Sequence, residues 1–443
     1  MHAPLIQRRT LASLLAALAL AACAGMPAGR SAHTPIVFVH GNGDSAALWL
    51  TSAWLWESNG WPRERLHAVN FPHPLSRDDD AVAQAGRSSS AEQAQHLAAE
   101  VDKVLAATGA KQVVLMVNSR GGIAVRSYIA NAGGAAKVSH AILGGTPNHG
   151  VWSNPQFRGG NEFNGSGPVL RALNAPKGAD GNEVTPGPRW MTLRSDNNDK
   201  FAQPDGVWIG ARGTPTNVTF DGPALKGADN VVLPVRDHRE VSFHPEAFAQ
   251  AFRFVTGRAP TTLAPTPQYK VVLDGLVTGF TAAGATNLPL PGAHVSVFAV
   301  NATSGERVGA ALLVKTVAAD GRWGPVTTDA RTPLEFVVAA PGFATTHTYR
   351  SPFARSSAIV HLRPERLADA DRAAAAVVTL SRPRGYFGLP RDTVTLDGQT
   401  ASGIPPGVTG LSTSKLRLTD GAGRAVAASF ASGALREQVV GRA

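Results

Sequence analysis

The sequence has 443 residues, 43% of them hydrophobic and 17% charged, with a formal net charge of +10. That length allows two or three domains, and that apolar share is enough to bury a normal core. The positive charge is spread, with no dense Lys/Arg run, zinc pattern or RNP-like aromatic strip, so no nucleic acid is expected as a partner; the one cysteine excludes a disulfide within the chain.

Residues 1–23 read as an export signal. Arg8 and Arg9 form a basic start, and the apolar stretch 11–22 is too short for a comfortable membrane span and ends in small residues. Leu20-Ala21-Ala22-Cys23 resembles a bacterial lipobox, which implies cleavage before Cys23 and membrane anchoring through a lipid on that residue. The expected location is outside the cytoplasm, as an outer-membrane or periplasmic lipoprotein or as a secreted protein. Residues 24–33 form a short linker.

From 34 to 258, short apolar strands alternate with helical stretches. Residues 36–39 form an apolar run ending in His40-Gly41-Asn42-Gly43, and 66–71 a weaker strand. A helix is predicted over 89–107. Ser89-Ser90-Ala91-Glu92 has the form of a capping box, and Leu97, Val101, Val104 and Leu105 share a face before Gly109. Residues 113–117 form a continuous apolar strand of the kind buried on both faces of a parallel sheet, and a helix over 121–130 follows at once. Further strands are predicted at 141–143, 190–193 and 231–233, then a closing helix at 245–255. This alternation predicts a mostly parallel sheet with flanking helices. A Gly/Asn/Pro-rich insertion, 150–189, is long for a compact domain and reads as lid-like.

Residues 259–267 (APTTLAPTP) read as a linker. Beyond it the period changes to two. Strands at 294–300, 312–317, 334–339 and 359–362 predict an all-β sandwich over 268–365, and 366–443 carries further strand signals at 377–380 and 393–396. This half shows no Ser/His/Asp set on a common face. It is expected to place the chain on an insoluble substrate, so that truncation at 259–267 would spare the chemistry.

The chemistry gathers in the first half. Ser119 lies in Met116-Val117-Asn118-Ser119-Arg120-Gly121-Gly122, between an apolar strand and a helix. A sharp strand-to-helix turn lifts a serine Oγ clear of a sheet, and the helix start aims N–H groups at developing negative charge. Val117 departs from the G-x-S-x-G pattern, being bulkier than the usual glycine. His40-Gly41-Asn42-Gly43 ends an earlier strand, where Gly41 or Asn42 can join Arg120 as backbone oxyanion donors. Acid and base follow in the order Ser…Asp…His. Asp199 and Asp196 both lie just past a strand end, with Asp199 favoured. His238 lies after the last strand, while His244 reads as a capping or packing residue. Histidines 67, 73, 96, 140 and 149 read as structural.

Residues 34–258 resemble the α/β-hydrolase family, and within it the lipases and carboxylesterases, in the stretches IVFVHGNG, VVLMVNSRGG, LGGTPNHG and TLRSDNND. The resemblance implies Ser119 as nucleophile, His238 as base, Asp199 as acid, and oxyanion donors at Arg120 and near Gly41 or Asn42. It implies an ester substrate, lipid or polyester, and no metal or cofactor. PLPGAHVSVFAV, AADGRW and VVAAPGF resemble a carboxypeptidase-regulatory-like, transthyretin-like β-sandwich. The same residues also fit an acyltransferase, and Val117 fits a binding lipoprotein that has kept the fold without the chemistry.

Overall fold

The computed structural model describes residues 33–382, 384–421 and 423–443. The expected export signal, its Cys23 and the linker up to residue 32 lie outside the described residues. Strands β1 (Ile36–Val39), β2 (Leu66–Ala68), β3 (Val113–Asn118), β4 (Val138–Gly144), β5 (Arg189–Ser195) and β6 (Asp229–Leu233) form one sheet in the order β2-β1-β3-β4-β5-β6. Every pairing in it is parallel. β1 and β3 are buried at each residue, as a strand covered on both faces requires.

The pleat sends alternate residues of β3 into two different cores. Val113, Leu115 and Val117 join Leu97, Val101 and Val104 of the helix Ser90–Thr108, and Val125 and Tyr128 of the helix Arg120–Asn131. Val114 and Met116 face the other way, onto Trp56 of the helix Leu50–Ser58 and Phe248 and Phe252 of the helix Pro245–Thr256. The helix Ser90–Thr108 begins with both bonds of its capping box, between Ser89 and Glu92, and ends on Gly109 at φ 64°. The helix Leu50–Ser58 escapes the sequence pattern because it is apolar on several sides and its N-cap, Trp49, makes no side-chain cap bond.

The 150–189 insertion contains one short helix, Pro168–Asn174, whose Leu170 and Leu173 pack on Ile123. It is fixed at several other points: Asn161 Nδ2 donates to the carbonyls of Arg77 (2.8 Å) and Asp78 (3.2 Å).

The second half is antiparallel within its ladders. Leu313–Thr316, His294–Ala299, Leu334–Ala339 and Thr346–Arg350 form a four-stranded sheet in that order. Its core holds Trp323, Phe336 and Phe353, and it also takes in Leu50 and Trp54 from the first half. The expected strand at 359–362 is reduced to one bridge, Leu362 with Val277. Trp323 Nε1 takes the Val360 carbonyl (2.7 Å) and His361 Nδ1 takes the Leu276 N–H (3.1 Å), so side chains occupy positions that a regular ladder would fill with backbone. The last part pairs Ala376–Ser381 with Thr413–Leu418, and orders Gln399–Thr400, Asp392–Leu396, Ala425–Ser432 and Leu435–Arg442 in a second four-stranded sheet. Phe387, Val394, Leu418 and Val426 form its own small core.

Candidate active site

Three loops at the carboxyl ends of the parallel strands meet. Ser119 follows β3, Asp199 follows β5 and His238 follows β6. Open α/β sheets present ligands at this edge. Ser119 is the N-cap of the helix Arg120–Asn131, at φ 53° and ψ −125°. A serine in that region of backbone space is strained, and only surrounding structure keeps it there. Its N–H donates to Gly144 O (2.8 Å) and its carbonyl accepts from Gly122 N (2.9 Å).

The strain depends on small neighbours. A Cβ on Gly41 would lie 2.9 Å from Ser119 Cβ, and one on Gly121 would lie 2.7 Å from His40 O. Val117, by contrast, sits in the packed core with Val39 and Leu143. Its bulk is absorbed on the sheet side of the turn, and the close approach falls on Gly121 instead.

His238 is buried and bonded at both ring nitrogens. Nε2 lies 2.9 Å from Ser119 Oγ, and Nδ1 lies 2.9 Å from Asp199 Oδ2. The other Asp199 oxygen accepts from Phe201 N (2.8 Å), and the Phe201 ring meets the imidazole edge-on at 4.6 Å between centroids. Asp196 does different work. Its Oδ2 accepts from Val235 N (2.9 Å) and its Oδ1 from Asn198 N (3.0 Å), which ties the two loops together. Val235 has φ 66°, a costly place for a β-branched residue, three positions before His238.

Of the expected oxyanion donors, Gly41 and Arg120 lie next to Ser119. Gly41 is in contact with it, and Asn42 follows in the same turn, with its side-chain oxygen taken by Ser76 N (2.8 Å). Arg120 opens the helix after Ser119, so its N–H has no carbonyl earlier in the helix to bond. The Arg120 side chain is fully buried. It donates to Glu162 Oε1 (2.6 Å), Pro74 O (3.0 Å) and Ser88 Oγ (3.1 Å). Burial pushes the Glu162 carboxyl up to about 7, against the pull of Arg120.

Two supporting groups were not foreseen. Asn118 Nδ2 donates to Ser242 Oγ (2.8 Å) and His238 O (3.3 Å), joining β3 to the His238 loop. An Asn preceding the turn serine was the available signal. His40 is buried and neutral: its Nδ1 faces Gly41 O (2.9 Å) and its Nε2 accepts from Phe71 N (3.1 Å). Burial lowers its pKa from 6.5 to about 4. His244 accepts from Glu246 N (3.3 Å) as the N-cap of the helix Pro245–Thr256. His149 pairs with Glu183 (3.1 Å).

Beside the imidazole lies a cavity of about 420 Å³, bordered by His238, Asp199, Thr146, His149, Asn174 and Phe220. Among the described residues, no cluster of three or more His, Cys, Asp or Glu could hold a metal ion. Ser119, His238 and Asp199 form a hydrogen-bonded chain able to move a proton from a hydroxyl to an imidazole and to hold the resulting cation.

Comparison with known proteins gives two family matches. Residues 33–161 match the class 2 lipase model, and residues 269–367 match the lipase C-terminal domain. Among solved structures, the mature Bacillus licheniformis lipase BlEst2 is 21% identical, with 52% of this chain and 96% of that chain covered and a TM-score of 0.37. Its propeptide form is 15% identical, with 94% and 95% covered and a TM-score of 0.37. The Legionella pneumophila phospholipase PlaB is 14% identical, with 76% and 96% covered and a TM-score of 0.32.

Proposed function

We propose, from the premise that this chain belongs to the lipases of the α/β-hydrolase fold and hydrolyses carboxylic esters, that it does so through Ser119, His238 and Asp199. His238 Nε2 takes the Ser119 proton as Oγ attacks the ester carbonyl. The oxyanion is stabilised by the N–H of Arg120 and by that of Gly41 or Asn42. Collapse expels the alcohol, which takes the proton from His238. Water, deprotonated by His238, then attacks the acyl-serine, and the acid leaves with Ser119 restored. Asp199 holds the imidazole by Nδ1 and stabilises its cationic form.

The observation that carries this reading is the pair of 2.9 Å contacts linking Ser119 Oγ, His238 and Asp199, with Ser119 at φ 53°. Ser119→Ala is expected to abolish hydrolysis of a soluble p-nitrophenyl ester and labelling by a fluorophosphonate, with the melting temperature nearly unchanged. Losses of several orders of magnitude are typical when a triad member is removed. A variant hydrolysing near the wild-type rate would end the assignment.

The substrate in this reading is a lipid or polyester met outside the cytoplasm, with Cys23 as a lipid anchor. The leader sequence supports that location. Palmitate labelling of cells expressing the full chain and of a Cys23→Ser variant tests it. Equal labelling of the two would refute the anchor.

A further inference from the structure

We propose that Arg382 and Arg391, both in the C-terminal β region, are positioning residues for the hydrolase site: they grip Asp237 and Glu240 on either side of His238 and so set the place of the base. The inference rests on the triad reading above and extends it to the half of the chain that carries no reacting group.

The local frame comes first. Asp237 and Glu240 cap one another across His238. Asp237 Oδ1 accepts from the N–H groups of Arg239 (2.8 Å) and Glu240 (2.9 Å), and Glu240 Oε2 accepts from Asp237 N (2.9 Å). This starts the helical turn Glu240–Phe243 with two carboxylates, 0% and 4% exposed, three residues apart. Buried carboxylates need partners for their remaining lone pairs.

Those partners come from about 140 to 155 residues further along the chain, as the numbering shows. Arg382 follows the strand Ala376–Ser381, and Arg391 precedes Asp392–Leu396, so two strand ends of the C-terminal sheets aim the guanidinium groups. Arg391 donates to Glu240 Oε2 (2.7 Å) and Asp392 Oδ2 (2.8 Å), and Arg382 bonds Glu240 Oε1 and lies 3.4 Å from Asp237 Oδ2. Tyr386 N donates to Asp237 Oδ2 (2.7 Å), and both arginines donate to Tyr386 O at 2.6 Å. Arg391 also reaches the carbonyl of the strained Val235 (3.3 Å).

The acid loop is held from the same side. Thr409 Oγ1 donates to Asn198 O (2.7 Å), next to Asp199. Lys200 Nζ donates to Gly410 O (3.0 Å) and sits 3.8 Å from the centre of the Tyr386 ring. One β region therefore touches both loops that carry the base and its acid. Its grip on the first is a rigid, branched ion-pair network, which suits a fixed geometry better than a flexible lysine would.

The test is the full-length double variant Arg382→Lys/Arg391→Lys, which keeps both charges and loses both forks. Its kcat on a soluble short-chain p-nitrophenyl ester is expected to fall about 10–100-fold, with KM within about twofold, because small displacements of a catalytic group cost rate rather than binding. The melting temperature is read alongside, and kcat is referred to folded protein. A folded double variant with wild-type kcat would overturn the positioning role. If the double variant does not fold, Arg391→Lys alone is read by the same criterion. Ser119→Ala runs in the same assay. Activity in that control would refute the triad reading, whereas an inactive control beside fully active lysine variants would refute only the positioning role.

Discussion

At Asp196 and Asp199, three residues apart on one loop, the same side chain serves two purposes. Asp199 bonds His238 Nδ1, while Asp196 bonds the backbone of the facing loop at Val235 and never reaches the imidazole. Asp199→Asn is therefore expected to lower kcat by about 10³–10⁴-fold, since an amide neither stabilises the imidazolium nor enforces the tautomer. Asp196→Asn should cost stability and only a modest part of kcat. If steady-state kinetics on folded protein show the reverse order, the acid is Asp196. Residue chemistry also sets a pH dependence. His40 is neutral in the fold down to about pH 4, whereas the unfolded chain protonates it below about 6.5. The unfolded state thus binds the extra proton in that window, and stability falls as pH drops from about 6.5 to about 4. The full shift corresponds to about 3 kcal/mol. Denaturant melts at pH 7 and pH 4.5 should show a larger loss for the wild type than for a folded His40→Gln variant. Equal losses would remove His40 from the acid sensitivity.

The elements that carry Ser119 were readable because local chemistry dictates them. An apolar run buried on both faces, a serine, then Gly121 and Gly122 leave few alternatives to a strand, a sharp turn and a helix. The Ser89/Glu92 capping box and Gly109 bounded the preceding helix in the same way. What could not be read is what depends on distant partners. The helix Leu50–Ser58 is defined by burial between two cores, and the bonds to Asp237 and Glu240 come from residues with no local reason to be arginine. The 150–189 insertion is the intermediate case. Its length reads as lid-like, and Glu162 within it pairs with the buried Arg120. Removing one partner of a buried ion pair costs about 3–5 kcal/mol. Glu162→Ala is accordingly expected to lower the melting temperature and to speed proteolysis within 150–189. Wild-type cleavage kinetics in that variant would show that the segment is held by other contacts.

At the scale of the whole molecule, the two halves share contacts that a module serving only to place the enzyme on a surface would not need. Trp54 and Leu50 of the N-terminal half lie in the core of the β-sandwich, and Trp54 Nε1 donates to Ser356 O (3.1 Å). Asn287 reaches back to the carbonyls of Asp44 (2.8 Å) and Phe71 (3.0 Å), in the loops that follow β1 and β2. Even the 259–267 linker is pinned, with Asn59 Oδ1 accepting from Thr261 N (2.7 Å). A chain cut in that linker would expose the apolar face of the helix Leu50–Ser58 and leave Asp237 and Glu240 without Arg382 and Arg391. Both changes act on the fold and on the His238 loop, so neither depends on whether the ester is dissolved or dispersed. Truncation is therefore expected to lower hydrolysis of a soluble ester and of an emulsified ester together, by about 100-fold or more, the scale set by a few kcal/mol of lost pairing. This differs from the expectation for a module that only targets the enzyme. The ratio of the two activities, measured in full-length and truncated protein, decides between them. An unchanged ratio with both activities lost fits the shared core and the arginine network; a truncated chain that keeps the soluble activity and loses the emulsified one would show that the first half holds its site unaided.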